Sequence, residues 1–169
     1  MGGREIGIAI MVILALLIVG GMVFAWRARL RRDASLTAPI GVPEHSEVVS
    51  RHSVLYVATT AHEQPLERLA IRPLAYRARG ELVVLDRGVA MSLDGSPTVY
   101  IAATRFHSAS LATVAIDRVV ERNGLLRLSW ETDEKTVVDS YFRIADGDPQ
   151  PVLTELQRLG AVPESGAAA

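Results

Sequence analysis

The residues from Ile6 to Trp26, IGIAIMVILALLIVGGMVFAW, contain no charged or strongly polar side chain. About 20 residues at 1.5 Å rise cross the roughly 30 Å hydrocarbon core of a bilayer, and a helix satisfies its backbone polar groups internally. The run exceeds the ~7 to 15 apolar residues of a signal peptide, and arginines stand where cleavage would need small residues. It is read as a retained transmembrane helix, and everything after it as a domain tethered to the bilayer.

The flanks set an orientation. Arg27, Arg29, Arg31 and Arg32 follow the span, whereas Arg4 precedes it beside Glu5. Cytoplasmic flanks carry the excess of arginine, so residues 1–5 are expected outside the cell (inner) membrane and the C-terminal domain in the cytoplasm. Trp26 and the four arginines form a membrane-interface collar suited to an anionic leaflet. Gly21 and Ala25 make a small-xxx-small step through which two spans could pack as a weak homodimer. The start, MGGREI, lacks a myristoylation signal, because Ile6 stands where Ser or Thr is required.

Charge and composition exclude several classes. The formal net charge is -1, but removing the five flanking arginines and Glu5 from 18 basic and 19 acidic residues leaves 13 against 18, or -5, for the rest. An acidic domain behind a basic collar is no nucleic-acid binder, which needs a basic face against phosphates. With no cysteine there are no disulfides, thiolate metal sites or cysteine nucleophiles. Only 5% of residues are aromatic, so the core must be built from Val, Leu, Ile and Ala.

Residues 27–46 read as the collar followed by a proline-containing tether, since Pro39 and Pro43 forbid a continuous helix. The domain is expected over 47–160. Its first strand is SVLYVATT, 53–60, rich in β-branched and aromatic residues. The stretch AHEQPLERLA suggests one helical turn, and a second strand is expected over 74–79. Short runs ELVVLDRG and VAMSLDG, then 99–103, have the spacing of a meander. Asn123-Gly124 suits a type I′ turn and predicts a hairpin of 113–122 with 125–131. In its second arm Leu126, Leu128 and Trp130 share one face. Residues 136–144 continue the alternation, with Val138, Phe142 and Ile144 inward and Val137, Asp139, Tyr141 and Arg143 outward.

The period changes at Asp148-Pro149, an N-cap and first-turn proline. Val152, Leu153, Leu156 and Leu159 then mark one amphipathic helix stopped by Gly160 and Pro163. Residues 161–169 read as a disordered tail. The fold class is therefore mainly β: a transmembrane helix, then a small barrel of about seven antiparallel strands capped by a C-terminal helix.

LYVATT at 55–60, VYIAA at 99–103, NGLLRLSW at 123–130 and YFR at 141–143 resemble the bacterial pleckstrin-homology-like (PH-like) domain of actinobacterial single-span membrane proteins, a family of unassigned function. The resemblance covers most of 53–160 and implies a bent barrel closed by the last helix. It brings no site residues. Members are sometimes labelled transporters, but one span forms no transport path.

No motif supports catalysis or a cofactor. His45, His52 and His62 lie among Glu44, Glu47 and Glu63, but their separations fit no helical ligand pair, and exposed histidines account for them better than a metal. His107 with Asp117 lacks the surroundings of a nucleophile and reads as a loop. Arg68, Arg72, Arg77 and Arg79 are interleaved with Glu63, Glu67 and Glu81 and read as a mixed-charge face. Asp133, Glu134 and Lys135 form a hairpin tip. The expectation is a membrane-anchored, non-enzymatic interaction module that docks a protein partner by strand addition at an open sheet edge. The alternative is a module binding lipid or a small ligand at the cytoplasmic leaflet.

Overall fold

The computed structural model describes residues 2–33, 35–115, 118–119, 124–145 and 147–160, without the side chains of Arg4, Arg29, Leu30, Arg32 and residues 114–119. Contacts divide the chain into two units, the first ending at Ser35 and the second starting at Leu36. The first is helix α1, Gly3–Asp33, whose stretch Glu5–Ala28 is long and apolar enough to cross a membrane. Its described apolar side chains are exposed.

The second unit is a β-sheet with one helix. Its strands are β1 (Val48–Ala61), β2 (Gln64–Arg68), β3 (Ala78–Leu85), β4 (Gly88–Leu93), β5 (Val99–Ala102), β6 (Phe106–Ala112), β7 (Val114–Ala115), β8 (Arg118–Val119), β9 (Leu125–Glu131) and β10 (Val137–Ile144). Seven lie in the order β5-β4-β3-β1-β10-β9-β6, with β2 paired to β1, so the main sheet has eight strands; β7 and β8 pair separately. All the main ladders are antiparallel. A 3-10 turn, Ala103–Arg105, joins the two end strands β5 and β6.

The sheet is open rather than a closed barrel, yet it bends around one core. Val99 and Ile101 of one end strand share a cluster with Phe106 and Ala109 of the other, and with Tyr56, Leu82, Met91, Leu128, Trp130 and Phe142 between them. Helix α2, Gln150–Gly160, contributes Val152, Leu153, Leu156 and Leu159 to the same cluster. It packs beside β6 so closely that a Cβ on Gly160 would lie 2.7 Å from the Phe106 ring. The Asp148 carboxylate accepts the Gln150 N–H at 2.9 Å, the expected N-cap.

Several expectations are corrected. The stretch with Pro65 forms β2 rather than a helical turn. Proline is tolerated there because β2 meets β1 at only two positions, Thr60 with Arg68 and Ala61 with Gln64. Residues 74–77 are not strand: Leu74 is buried while Tyr76 stands in solvent, so no pleat alternates. The partner of 125–131 is β6, not 113–122, with Leu126 opposite Leu111 and Leu128 opposite Ala109. Asn123, the expected turn residue, lies outside the described residues. His107 is therefore on a strand and not in a loop.

The outward face of β10 is also less polar in effect than its alternation suggests. Asp139 and Tyr141 are buried there, Tyr141 in a satellite cluster with Leu125. Finally, the tether does not extend to residue 46. Ile40 bridges Val99, Thr37 bridges Arg72 and Ala38 is buried, so the chain is part of the domain from Leu36 onward.

Candidate functional site

Three segments converge on Thr37. From the β9–β10 turn, Glu134 accepts the Thr37 N–H at 3.0 Å and its hydroxyl at 2.9 Å, while the Asp133 carboxylate also accepts the hydroxyl at 3.2 Å. The Asp133 N–H donates back to the Thr37 carbonyl at 3.3 Å. Arg105, on the turn between β5 and β6, pairs with Asp133 at 2.6 Å. From the β2–β3 loop, the Arg72 carbonyl accepts the Ala38 N–H at 3.2 Å. The Thr37 N–H holds the Glu134 carboxyl below the usual carboxylate range, since a donor favours the charged form.

The segment then runs along β5. The Tyr100 N–H donates to Pro39 and the Gly41 N–H to Thr98, each at 3.0 Å. This occupies the outer edge of β5, while α2 flanks the other end strand, β6. The open edge expected for strand addition is thus covered by the chain itself.

Beside the β9–β10 turn lies the β1–β2 turn, because Ala61 pairs with Val138. Here Asp139, fully buried, gathers the Ser129 hydroxyl at 2.6 Å and His62 Nδ1 at 2.9 Å on Oδ1. On Oδ2 it accepts the Glu63 N–H at 3.0 Å, with Arg127 Nη1 at 4.0 Å. Glu63 has φ 59°, a conformation costly for a non-glycine residue, and the carboxylate holds its N–H in that geometry. Burial pushes the Asp139 carboxyl up, but the bonds from Ser129, His62 and Glu63, with the nearby imidazole, outweigh it and hold the carboxyl below its ordinary value. Every acceptor position that these geometries show is used by the protein's own donors. The cluster braces a turn.

A second polar chain crosses the core. Trp130 Nε1 donates to Ser140 at 2.9 Å, Ser140 meets Thr59 at 2.7 Å, and Thr59 meets the Tyr56 hydroxyl at 2.9 Å. That hydroxyl donates to the Leu74 carbonyl at 2.8 Å, and burial pushes its pKa up. The chain pins the β2–β3 loop to the core. Leu69 N–H to Thr59 at 2.9 Å and Arg68 Nη2 to Ala75 at 3.0 Å pin it again.

The sequence candidates separate in space. His52 Nε2 lies 3.0 Å from both Ser50 Oγ and Glu155 Oε2, and Ser50 also donates to that carboxylate. A catalytic triad would place the acid on the other ring nitrogen, so this trio is instead a clip between β1 and α2. Burial raises the Glu155 carboxyl, but Ser50 and His52 bring it below its usual range. His62 belongs to the Asp139 knot and His45 is exposed, so the three histidines do not meet, and the described residues hold no group of metal ligands. His107 lies 3.7 Å from Glu131, and its expected partner Asp117 is outside the described residues. Arg72, Arg77 and Arg79 are exposed, whereas Arg68 is half-buried at the end of β2 and donates to the loop at Ala75. Trp26, Arg27 and Arg31 are exposed on α1, as are Gly21 and Ala25. The Asp139 knot and the Thr37 junction were missed from sequence, since each joins residues more than 70 positions apart.

Exposed apolar groups on the second unit fall in two places. Ile40, Val42, Val48 and Val49 line the segments beside β5 and the start of β1. Near them, Val83, Leu85 and Ala90 form a small cluster with Tyr100 on the sheet's outer face. Leu66 and Tyr76 stand on β2 and the β2–β3 loop.

A bent open antiparallel sheet with a C-terminal helix packed into it is the architecture of a PH-like fold. A family model described as "Bacterial PH domain-like" matches residues 36–158, well over half the chain, and the chain belongs to that family. Its start at residue 36 coincides with the first residue of the folded unit. No curated protein matches the chain. PH-like domains are in general interaction modules, and this chain carries one.

Proposed function

We propose that the protein is a single-span membrane protein that displays its PH-like domain to the cytoplasm as a docking module for a protein partner, without catalysis. The observation that carries this reading is the set of exposed aliphatic side chains on the segments before and at the start of β1, Ile40, Val42, Val48 and Val49. Aliphatic side chains left exposed on a folded domain are available to an interaction surface. Their position moves docking away from strand addition, because β5 already pairs with residues 39–41.

The test is site-specific photocrosslinking in intact membranes with the probe at Val49, and at exposed Gln157 for comparison. A discrete adduct from position 49, lost when Val48 is changed to Glu, is expected. Adducts no different from those at 157 would refute docking at this surface.

A further inference from the structure

Residues 37–41 form a strap bonded only to parts of the domain remote in sequence. Thr37 is held by Asp133 and Glu134, and Ala38 by the Arg72 carbonyl. Pro39 and Gly41 are held by Tyr100 and Thr98, and Ile40 is the bridge partner of Val99. Ala38 is buried in the main core. These partners lie at 72, 98–100 and 133–134, none of them on the segment that leads from the strap into β1.

That segment is a short hinge. Its far end is fixed, since the Glu47 N–H donates to the Asp86 carboxylate at 3.2 Å and the Glu47 carbonyl accepts the Asp86 N–H at 3.0 Å. Between Gly41 and Glu47 one backbone bond among the described residues closes the turn, from the Ser46 N–H to Pro43 at 3.3 Å. Residues 42–45 are exposed. Val42 precedes Pro43, which disfavours helical backbone and favours an extended course. Opening the turn therefore gives up one long hydrogen bond and leaves Val42 in a conformation it prefers. The exposed aliphatic side chains flank this hinge: Ile40 on the strap, Val42 on the hinge itself, Val48 and Val49 just past it, with Val49 62% exposed.

We propose that the partner docking at this surface is a second copy of the chain, and that the two copies exchange their straps, residues 37–41 of each covering β5 of the other. The proposal rests on the docking reading above and names its partner. Exchange of an identical element remakes every strap bond between the copies, so its cost is confined to the hinge. It also carries the two hinges past one another, where Val42, Val48 and Val49 of one copy meet those of the other in place of water. A foreign strand on β5 would instead displace the strap and strip Ala38 and the Thr37 junction of their partners.

The chain has no cysteine, so introduced cysteines report without background. Ile40 and Val99 are Cα partners across an antiparallel bridge, a spacing that admits a disulfide. Cells co-express two full chains with different tags, one carrying I40C and the other V99C, and are mildly oxidised. A disulfide joining the two tags is expected, several-fold more abundant than between I40C and Q157C. A six-residue Gly/Ser insertion after Glu44 relaxes the closed form and should lower that product several-fold, because long hinges favour closure within one chain. With I40C and V99C on the same chain, a disulfide formed only within that chain, and no product joining two tags, overturns the exchange. A photocrosslinking probe at Val49 of a chain without cysteine gives an independent measurement, and an adduct between differently tagged copies is expected. An adduct solely with a different protein overturns the exchange and leaves the docking reading standing. No adduct above that at Gln157 overturns both.

Discussion

Replacing Asp139 by Ala removes a buried carboxylate that accepts from Ser129, from the Glu63 backbone and from His62. Hydrogen bonds to charged groups contribute about 1.5 to 3 kcal/mol each, but the three are not additive. The Ser129 hydroxyl is left buried without its acceptor, and Glu63 loses the bond that holds its φ of 59°. A loss of about 3 to 5 kcal/mol is expected, in the range for breaking a buried ionic contact. His62→Ala should cost less than about 1 kcal/mol, because its half-exposed side chain is replaced by water. The assay is urea unfolding of residues 36–160, followed by Trp130 fluorescence. The pH dependence has a definite sign. A folded-state pKa held below the ordinary value of about 3.9 gives stability that is present above that value and lost as pH falls through the folded pKa. The gap between wild type and Asp139→Asn should therefore narrow below about pH 4. Equal, small losses for Asp139→Ala and His62→Ala would refute the claim that this carboxylate braces the turn.

Leu156→Ala, at a fully buried position, should cost about 2 to 5 kcal/mol in the same fragment, while Gln157→Ala on the exposed side stays within about 0.5 kcal/mol. Starting the fragment at residue 47 removes the Thr37 bonds and uncovers β5, so 47–160 should unfold at lower urea than 36–160 and self-associate more readily in sedimentation. Equal midpoints would show that residues 36–46 add nothing. In cells, a reporter fused to the C-terminus should be active only if it functions in the cytoplasm, and exchanging Arg27, Arg29, Arg31 and Arg32 for Ser should disturb that orientation. Activity of an export-dependent reporter would reverse the assignment.

What the sequence made legible was carried by local periodicity. The helix α2 was readable because its cap, its stripe and its stop all lie within about a dozen residues, and all four stripe residues are buried as expected. The inward faces of β9 and β10 were readable for the same reason. β6 was not, because a register shift between Phe106 and Ser108 breaks the period of two just where the strand begins. β2 was hidden by Pro65. Alternation showed that Asp139 faces away from the main core, but it carries no information about what covers the outer face. Nor does any local signal pair His62 with a carboxylate 77 residues away. The glutamates near His62 in sequence suggest a metal, while its actual partner, Asp139, lies on the outward face of another strand.

If α1 crosses a membrane, as proposed, the Thr37 junction changes what that anchoring would accomplish. With the domain starting at residue 47, the 13 residues from 34 to 46 would behave as a coil of roughly 20 Å root-mean-square length, letting every face of the domain meet solvent and bilayer alike. With Thr37 fixed to Glu134 and Asp133, at most three residues, 34–36, separate it from the end of α1. Effective concentration falls roughly as the -3/2 power of linker length, so shortening the linker from about 13 to about 3 residues would raise it roughly ninefold for groups near the attachment point. The groups near it are the β2–β3 loop and the turns after β1 and β9, whereas the His52–Glu155 clip ties α2 near the opposite end of β1. Such anchoring would favour contacts at those turns over contacts at the clip.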